Sequence, residues 1–429
     1  MPTSVPLHQL PAWQAAILLA RREIKASDLV RACLNRIAER EPSVAAFVHL
    51  QADSVLAQAH QLDAGSVRGL LHGLPFGAKD LFDTHDMPTS YGSPIHECYQ
   101  PLVDTAAVAL CREAGALLVG KTVTTELANM LPSITRNPHN LAYSPGGSSS
   151  GSAAAVADYM VPLALGTQTA GSLIRPAAYC GIVGYKPSHT RVPKAGVKSL
   201  SETLDTVGGF GRSVRDVGLL GAALTGDKRM ADPAMYEQKN APRIGLCQTP
   251  EWHQSDSNTQ KAWDQAEKAL QGFATAFELP AGLNNLVTVQ KDIQAFETAR
   301  SLSHESLHHA SQLSSPLQAL LANGMTISGQ AHAINLQSTA LARSQATELF
   351  SNFDVLLAPS SIGAAPPIHE GSTGDPLFCR TWTLLGLPCI HLPFAYSQNG
   401  LPVGLQLVGA YGDDHRLLAA AHWVHTRLT

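Results

Sequence analysis

Residues 71 to about 217 leave few folds open to this sequence, because short apolar runs alternate there with glycine-rich turns. Residues 116–119 and 161–165 are two such runs. Short apolar runs bounded by turn residues are typical of strands buried on both faces, and segments of helical character separate them here. This alternation predicts an α/β fold, in which helices cover the strands of a central sheet.

The segments on either side carry further signals. The first fifty residues indicate two helices of an outer layer, with Ser27 as the N-cap of the second. Residues 228–350 show helical periodicity in several segments. Strand signals return at residues 354–358 and 403–408, and a helix is predicted from residue 413 to about 426. Both ends of the chain are therefore expected to contribute to the fold.

Neither a long polar linker nor an internal repeat divides the 429 residues, which predicts a single domain. Its expected parts are N-terminal helices (1–60), a core (61–225), a mainly helical covering (226–350), and C-terminal strands and a helix that complete the sheet (351–429).

Composition narrows the class of function. Hydrophobic residues make up 45% of the chain and charged residues 15%, which favours a folded globular protein. The net charge of -4 gives no reason to expect nucleic acid or an anionic membrane as partner, and no uninterrupted run of about 18 apolar residues predicts a membrane span. Seven cysteines without paired spacing, after an N-terminus without a leader pattern, predict a cytoplasmic location. A small molecule is the expected partner.

The densest motif is a glycine-serine block, residues 146–152, that runs directly into an alanine-rich helical segment. A flexible surface loop is the ordinary interpretation of an isolated block of this kind. A second small-residue segment, 166–172, ends at Ser172 and precedes Pro176, which fits a first helical turn. Near a helix N-terminus, Ser172 is either a nucleophile assisted by free N–H groups or simply a cap.

Lys79 lies in an apolar segment punctuated by glycine and proline, residues 73–80, which suggests burial. To act as a base near neutral pH, its pKa must fall well below ~10.4, and burial lowers the pKa of a lysine. The alternative is an exposed lysine, or one paired with Asp80 or Asp83.

These three elements, in this order, resemble the amidase signature family. The resemblance extends to later segments, namely 358–359, 366–367, 386–388 and 400–407. It implies a central mixed β-sheet sandwiched between layers of α-helices.

The resemblance also implies roles for individual residues. Lys79 is the base, Ser148 is a bridging serine that relays protons through an unusual cis peptide, and Ser172 is the nucleophile that becomes acylated. The backbone amides of the oxyanion hole are expected from the three residues before the nucleophile: Thr169, Ala170 and Gly171. Neither a metal nor a cofactor is required by this chemistry.

Two details differ from the commonest family pattern and resemble malonamidase-like members. Ser150 replaces a glycine, and Arg175 follows the nucleophile by three residues. In such members the corresponding arginine holds a substrate carboxylate, a role that suits a guanidinium. Arg175 and Ser149 are thus the expected substrate-binding residues, unless Arg175 forms a structural ion pair or cap.

Two other motifs point to rival chemistry. Residues 115–122 fit the phosphate-loop pattern, but their centre is apolar, which favours a strand followed by a turn. Residues 304–308 fit the His-Glu-x-x-His zinc pattern, but their polar flanks favour a solvated helix face.

The sequence therefore predicts an amidase that hydrolyses a C–N bond of a small, carboxylate-bearing amide. Two alternatives stay open: the catalytic subunit of an amidotransferase-type complex, and a non-catalytic interaction protein. Homodimers are common among relatives of this type, so a homodimer is the expected assembly.

Overall fold

An 11-stranded mixed sheet runs through the part of the chain that this computed structural model describes, residues 5–238 and 240–429. The strands are β1 (Phe47–Leu50), β2 (Pro75–Lys79), β3 (Leu117–Thr122), β4 (Leu163–Gln168), β5 (Val183–Lys186), β6 (Thr206–Gly211), β7 (Ile244–Leu246), β8 (Ala274–Ala276), β9 (Val355–Pro359), β10 (Cys389–Tyr396) and β11 (Pro402–Gly409). Their spatial order is β1-β3-β2-β4-β6-β5-β10-β11-β9-β7-β8.

Within the same described residues, 14 α-helices accompany the sheet. They are α1 (Ala12–Ala20), α2 (Ala26–Val44), α3 (Ala52–Ala64), α4 (Ala106–Glu113), α5 (Ser150–Ala157), α6 (Ile174–Cys180), α7 (Val214–Thr225), α8 (Ser257–Ala269), α9 (Leu286–Ser301), α10 (Ser303–His308), α11 (Ser315–Thr326), α12 (Gly329–Asn352), α13 (Leu377–Leu384) and α14 (Asp414–Leu428).

Helices cover both faces of the sheet, as neighbouring residues of β9 show. Leu357 belongs to an apolar cluster that contains Leu417 of α14. The preceding residue, Leu356, belongs to a different cluster, which contains Trp382 of α13. Because successive side chains of a strand point to opposite faces, the two clusters lie on opposite sides of the sheet. The predicted α/β fold with a central mixed sheet between helical layers is confirmed.

Parallel pairing at β2, β3 and β4 sets up the candidate site. All residues of these three strands are buried, as their apolar sequences predict. Ala78 pairs with Leu165, so the carboxyl ends of β2 and β4 meet at the same edge of the sheet. Lys79 is the last residue of β2, and Thr167 lies near the end of β4. The register therefore brings their side chains together.

The two edges of the sheet contain strands from segments that the sequence predicted to be helical. Residues 1–60 contribute β1 to one edge, and residues 226–350 contribute β7 and β8 to the other.

The predicted N-cap at Ser27 is wrong, because α2 begins one residue earlier, at Ala26. The carboxylate of Asp63 in α3 accepts hydrogen bonds from the backbone N–H groups of Ala26 and Ser27, at 2.7 and 3.3 Å. The cap thus comes from another helix.

The segment resembling a phosphate loop forms β3, a fully buried strand. Lys121 within it is completely buried and forms an ion pair of 2.8 Å with Asp80. Its Nζ also donates to the Thr89 hydroxyl at 2.7 Å. The predicted strand is confirmed, but the turn expected after it is wrong within residues 115–122, because β3 continues through Lys121 to Thr122. Lys121 binds Asp80, a carboxylate that could have paired with Lys79.

The glycine-serine block, residues 146–152, forms the loop before α5 and the start of that helix, and it is buried. At Gly151, an added Cβ would overlap the carbonyl oxygen of Ala46 and lie 2.5 Å from the backbone nitrogen of Val123. Both obstacles are backbone atoms, which cannot rotate away. The glycine therefore allows α5 to approach β3 and the end of α2.

We expect Gly151→Ala to lower the free energy of unfolding by about 1–3 kcal/mol, the usual cost of overpacking. Gly329→Ala is the matched control, because a Cβ there meets nothing within 4 Å at the start of α12. Its stability should rise slightly or stay unchanged. Urea unfolding measures both; equal midpoints for the two variants would contradict the close approach described for Gly151.

Candidate active site

Lys79, Ser148 and Thr167 form a buried cluster where β2 and β4 end. The Lys79 Nζ lies 2.7 Å from the Ser148 Oγ and 2.7 Å from the Thr167 Oγ1. Lys79 is completely buried, and Ser148 is 1% exposed. Burial lowers the pKa of Lys79 to about 7, an effect that the charge of Asp205 partly opposes. The amine is thus held by hydroxyl groups and can lose its proton near neutral pH.

The loop before α5 presents Ser148. The peptide bond between Gly147 and Ser148 is cis, as the family resemblance implies. Gly146 has a φ of 82°, a conformation that suits glycine, and its carbonyl accepts a hydrogen bond from the Ser150 hydroxyl at 2.9 Å. Ser149 is fully buried, and its hydroxyl donates to the Thr167 carbonyl at 3.3 Å. The block is therefore a fixed structure and not a flexible loop.

Ser172 lies two residues before α6 and is partly exposed. Among the described residues, its hydroxyl has no hydrogen-bond partner, so no bond to Ser148 is formed in this structure. The Ser148 and Ser172 loops are nevertheless tied together, because Arg175 Nη2 donates to the Gly147 carbonyl at 2.7 Å. The free hydroxyl of Ser172 is the one that a substrate could meet.

The first amides of α6 do not stay free, contrary to the expectation for a helix N-terminus near Ser172. Gln168 Oε1 accepts from the backbone N–H groups of Leu173 and Ile174, at 2.9 and 3.1 Å. The Gln168 amide donates in turn to the Thr383 hydroxyl at 2.8 Å. An internal side chain therefore caps α6, and donors for a ligand must come from earlier in the loop.

The loop before Ser172 is anchored through its carbonyl groups and one hydroxyl. Three bonds do this: Gln290 Nε2 to the Thr169 carbonyl at 3.1 Å, the Thr383 hydroxyl to the Ala170 carbonyl at 2.7 Å, and the Thr169 hydroxyl to Asp205 at 2.6 Å. In the part of the chain that the structure describes, no hydrogen bond uses the N–H groups of Thr169, Ala170 or Gly171. These amides are therefore available to an acceptor.

Arg175 is 1% exposed, and burial lowers its pKa. Besides the bond to Gly147, its Nη2 contacts the Thr373 hydroxyl at 3.4 Å. Among the described residues, its Nε and Nη1 have no partner. No carboxylate forms an ion pair with Arg175 in that same set, so the alternative of a structural ion pair has no support there.

A cavity of about 230 Å³ lies beside the buried lysine. Thr167 and Asp205, which contact Lys79 and Thr169 respectively, both line it. Asp205 is buried, and burial raises the pKa of its carboxyl group. Space for a small molecule or water thus exists one hydrogen bond away from the amine.

Sequence reasoning missed several residues that hold the site. Thr167 and Gln168 lie in the segment around Ser172, residues 166–176, so the sequence indicated that they lie near the site. It did not indicate which groups they contact. Three others come from distant segments that carry no motif: Asp205, Gln290 and Thr383. No spacing rule in the sequence could have identified them.

The histidine pair of residues 304–308 lies on α10 and is exposed, but Glu305 between them is completely buried. Its carboxylate contacts Lys198 at 2.5 Å and His96 at 2.8 Å. The predicted solvated face is therefore wrong for Glu305, because Lys198 and His96 from other segments bind its carboxylate.

One cluster among the described residues has ligand atoms close enough to hold a metal ion, namely His85, Asp86 and Asp104. Arg112 binds both carboxylates, at 2.7 Å for Asp86 and 3.1 Å for Asp104. A guanidinium thus already occupies the place of a cation.

Helices long and apolar enough to cross a membrane do not occur among the described residues.

Comparison with known proteins identifies the family. The family model described as "Amidase" matches residues 28–418. The chain is 31% identical to one component of the glutamyl-tRNA(Gln) amidotransferase of Acidothermus cellulolyticus, over 95% of this chain and 92% of that protein. Among solved structures, it is similar to one described as an amidase, with a TM-score of 0.88 and 29% identity over 98% of this chain and 100% of the other.

The chain is also similar to the peptide amidase from Stenotrophomonas maltophilia, with a TM-score of 0.83 and 27% identity over 98% of this chain and 97% of the other. The family match spans the Lys79, Ser148 and Ser172 segments. The chain belongs to the amidase family, the amidase signature family that its three motifs resemble.

Proposed function

We propose that this protein is an amidohydrolase that cleaves the C–N bond of a small amide through an acyl-enzyme on Ser172. One observation carries the proposal: Lys79 is a fully buried amine with a lowered pKa, and hydrogen bonds join it to the hydroxyls of Ser148 and Thr167. A neutral amine in this position can accept a proton from Ser148.

Acylation follows from this arrangement. The Ser172 oxygen attacks the amide carbonyl, and its proton passes to Ser148 while the Ser148 proton passes to Lys79. The tetrahedral intermediate then collapses, the C–N bond breaks, and Lys79 returns the proton through Ser148 to the leaving nitrogen. Water attacks the acyl-enzyme in a second round of the same proton relay. Each proton removed is returned, so the relay ends as it began.

The negative charge of the intermediate needs donors that are already in place. We assign this role to the N–H groups of Thr169, Ala170 and Gly171, because their carbonyls are tied back and the amides lack acceptors. Preorganised donors of this kind are commonly the largest electrostatic contribution to catalysis.

Arg175 and Ser149 stay the proposed substrate-binding residues. Support for Arg175 comes from its unpaired Nε and Nη1, which could receive a carboxylate. A closeness to malonamidase-like members rests on Arg175 and Ser150 alone. The Ser149 hydroxyl already donates a hydrogen bond to the Thr167 carbonyl, so Ser149 would affect substrate binding indirectly, through the position of the end of β4.

A second candidate is a catalytic subunit that releases ammonia within a hetero-complex. The similarity to one component of a glutamyl-tRNA(Gln) amidotransferase supports it. Assay of the purified chain alone separates the two proposals, because a free-standing hydrolase turns over amides without a partner, whereas a component of a complex needs one. Gel filtration of the same sample tests the expected homodimer.

A fluorophosphonate probe should add one label to the wild-type protein and none to Ser172→Ala, because the Ser172 hydroxyl has no partner among the described residues and its loop is bonded to the Ser148 loop through Arg175. Ser54→Ala, an exposed serine on α3, is the control and should label normally. Intact-protein mass spectrometry gives the count. Labelling that persists in Ser172→Ala would contradict the assignment of the nucleophile.

The rate constant kcat/KM should rise with pH through about 7, where Lys79 loses its proton. Thr167→Val removes a hydroxyl that accepts from the Lys79 amine. Its loss destabilises the charged form, so the pH midpoint should move lower, by up to about one pH unit. Thr347→Val, exposed on α12, is the control. A midpoint that moves upward in Thr167→Val would show that Lys79 is not the titrating group.

A further inference from the structure

A second cavity, with two basic residues in its lining, lies near the Ser172 loop. Its volume is about 330 Å³, and α9, α11, α13 and the segment after β3 line it. Two basic side chains, Lys291 and Arg380, stand among otherwise uncharged lining residues such as Met130, Leu317 and Leu320. A basic end and an apolar wall suit an organic anion.

Hydrogen bonds connect this cavity to both catalytic loops. Gln290 accepts from Arg380 Nη1 at 2.5 Å and donates to the Thr169 carbonyl at 3.1 Å. On the other side, the Met130 carbonyl accepts from the Thr373 hydroxyl at 3.4 Å, and that hydroxyl contacts Arg175. The cavity wall therefore adjoins the site that holds Ser148 and Ser172.

One edge of the Arg380 guanidinium lacks an acceptor. The residue is 8% exposed, and burial lowers its pKa to about 10, so it stays charged at neutral pH. Its Nη1 is held by Gln290 and Gln294. Among the described residues, its Nε and Nη2 make no hydrogen bond. These two groups form the side of a guanidinium that binds a carboxylate in a bidentate manner.

The two charged residues that line the cavity are both basic. Asp375 forms an ion pair of 3.9 Å with Arg380 Nε but does not line the cavity. Glu126 is engaged by the backbone and hydroxyl of Ser314. Lys291 is exposed and has no ion pair among the described residues.

We infer that this cavity binds a carboxylate at the far end of the amide substrate, with Arg380 as its bidentate partner and Lys291 as a second positive charge. The inference rests on the proposed function and makes its substrate class specific: linear amides that end in a carboxylate. Arg175 donates to the Gly147 carbonyl and does not line this cavity, so a carboxylate bound in the cavity would contact Arg380 and Lys291 in place of Arg175.

The test compares monoamides of linear dicarboxylic acids, over a series of chain lengths, with neutral methyl-terminated amides of equal length. In the wild type, kcat/KM should favour the carboxylated amide at one chain length. In Lys291→Glu, the ratio of carboxylated to neutral kcat/KM should fall at least about tenfold. Lys261→Glu, an exposed lysine on α8 outside the cavity, makes the same charge change and should keep the wild-type ratio. Equal ratios in the two variants would overturn the inference.

A second measurement does not depend on turnover. Calorimetric titration of linear dicarboxylates into Ser172→Ala should show binding that Lys291→Glu weakens at least about tenfold and Lys261→Glu leaves intact. Dicarboxylate binding with this dependence, in a protein that hydrolyses no amide, would refute the proposed function and leave the carboxylate site standing. Amide hydrolysis with no dependence on Lys291 would refute the carboxylate site alone.

Discussion

Burying an amine without a counter-charge is the constraint on which the rest of this structure depends. Among the described residues, three lysines are completely buried, and different polar groups bind each amine. Lys121 binds the carboxylate of Asp80, and Lys186 donates to the carbonyls of Pro187 and Leu387. Lys79 instead contacts hydroxyl groups, which serve a neutral amine as well as a charged one. Burial lowers the pKa of Lys79 to about 7, so this amine can exchange protons near neutral pH.

Holding that amine beside Ser148 requires support from remote parts of the chain. The register of β2 and β4 fixes Lys79 against Thr167, and a bond from Arg175 ties the Ser172 loop to the Ser148 loop. Gln290 and Thr383 then hold the Ser172 loop from two helices of the covering layer. Because carbonyl groups take these bonds, the N–H groups of the loop stay open on the opposite side.

Local patterns made much of this predictable. Apolar runs and turn residues located β3, β4, β9 and β11, and the order of the three motifs identified the family. Features that depend on distant partners were not predictable: Asp63 caps α2 in place of Ser27, and Lys198 neutralises Glu305 within the zinc-like motif. A single sequence shows which side chains can form hydrogen bonds or ion pairs. Which of them come into contact depends on the packing of the helices and the sheet.

The chain of bonds from Arg380 through Gln290 to Thr169 has a consequence for divergence within such a fold. The same glutamine serves the cavity wall with its oxygen and the Ser172 loop with its nitrogen. A descendant that adapts to a differently charged substrate by replacing Arg380 leaves that oxygen short of a donor, although Gln290 must still hold the loop. New specificity would therefore have to arise by paired substitutions on α9 and α13, and intermediates with one change would carry a loosened Ser172 loop.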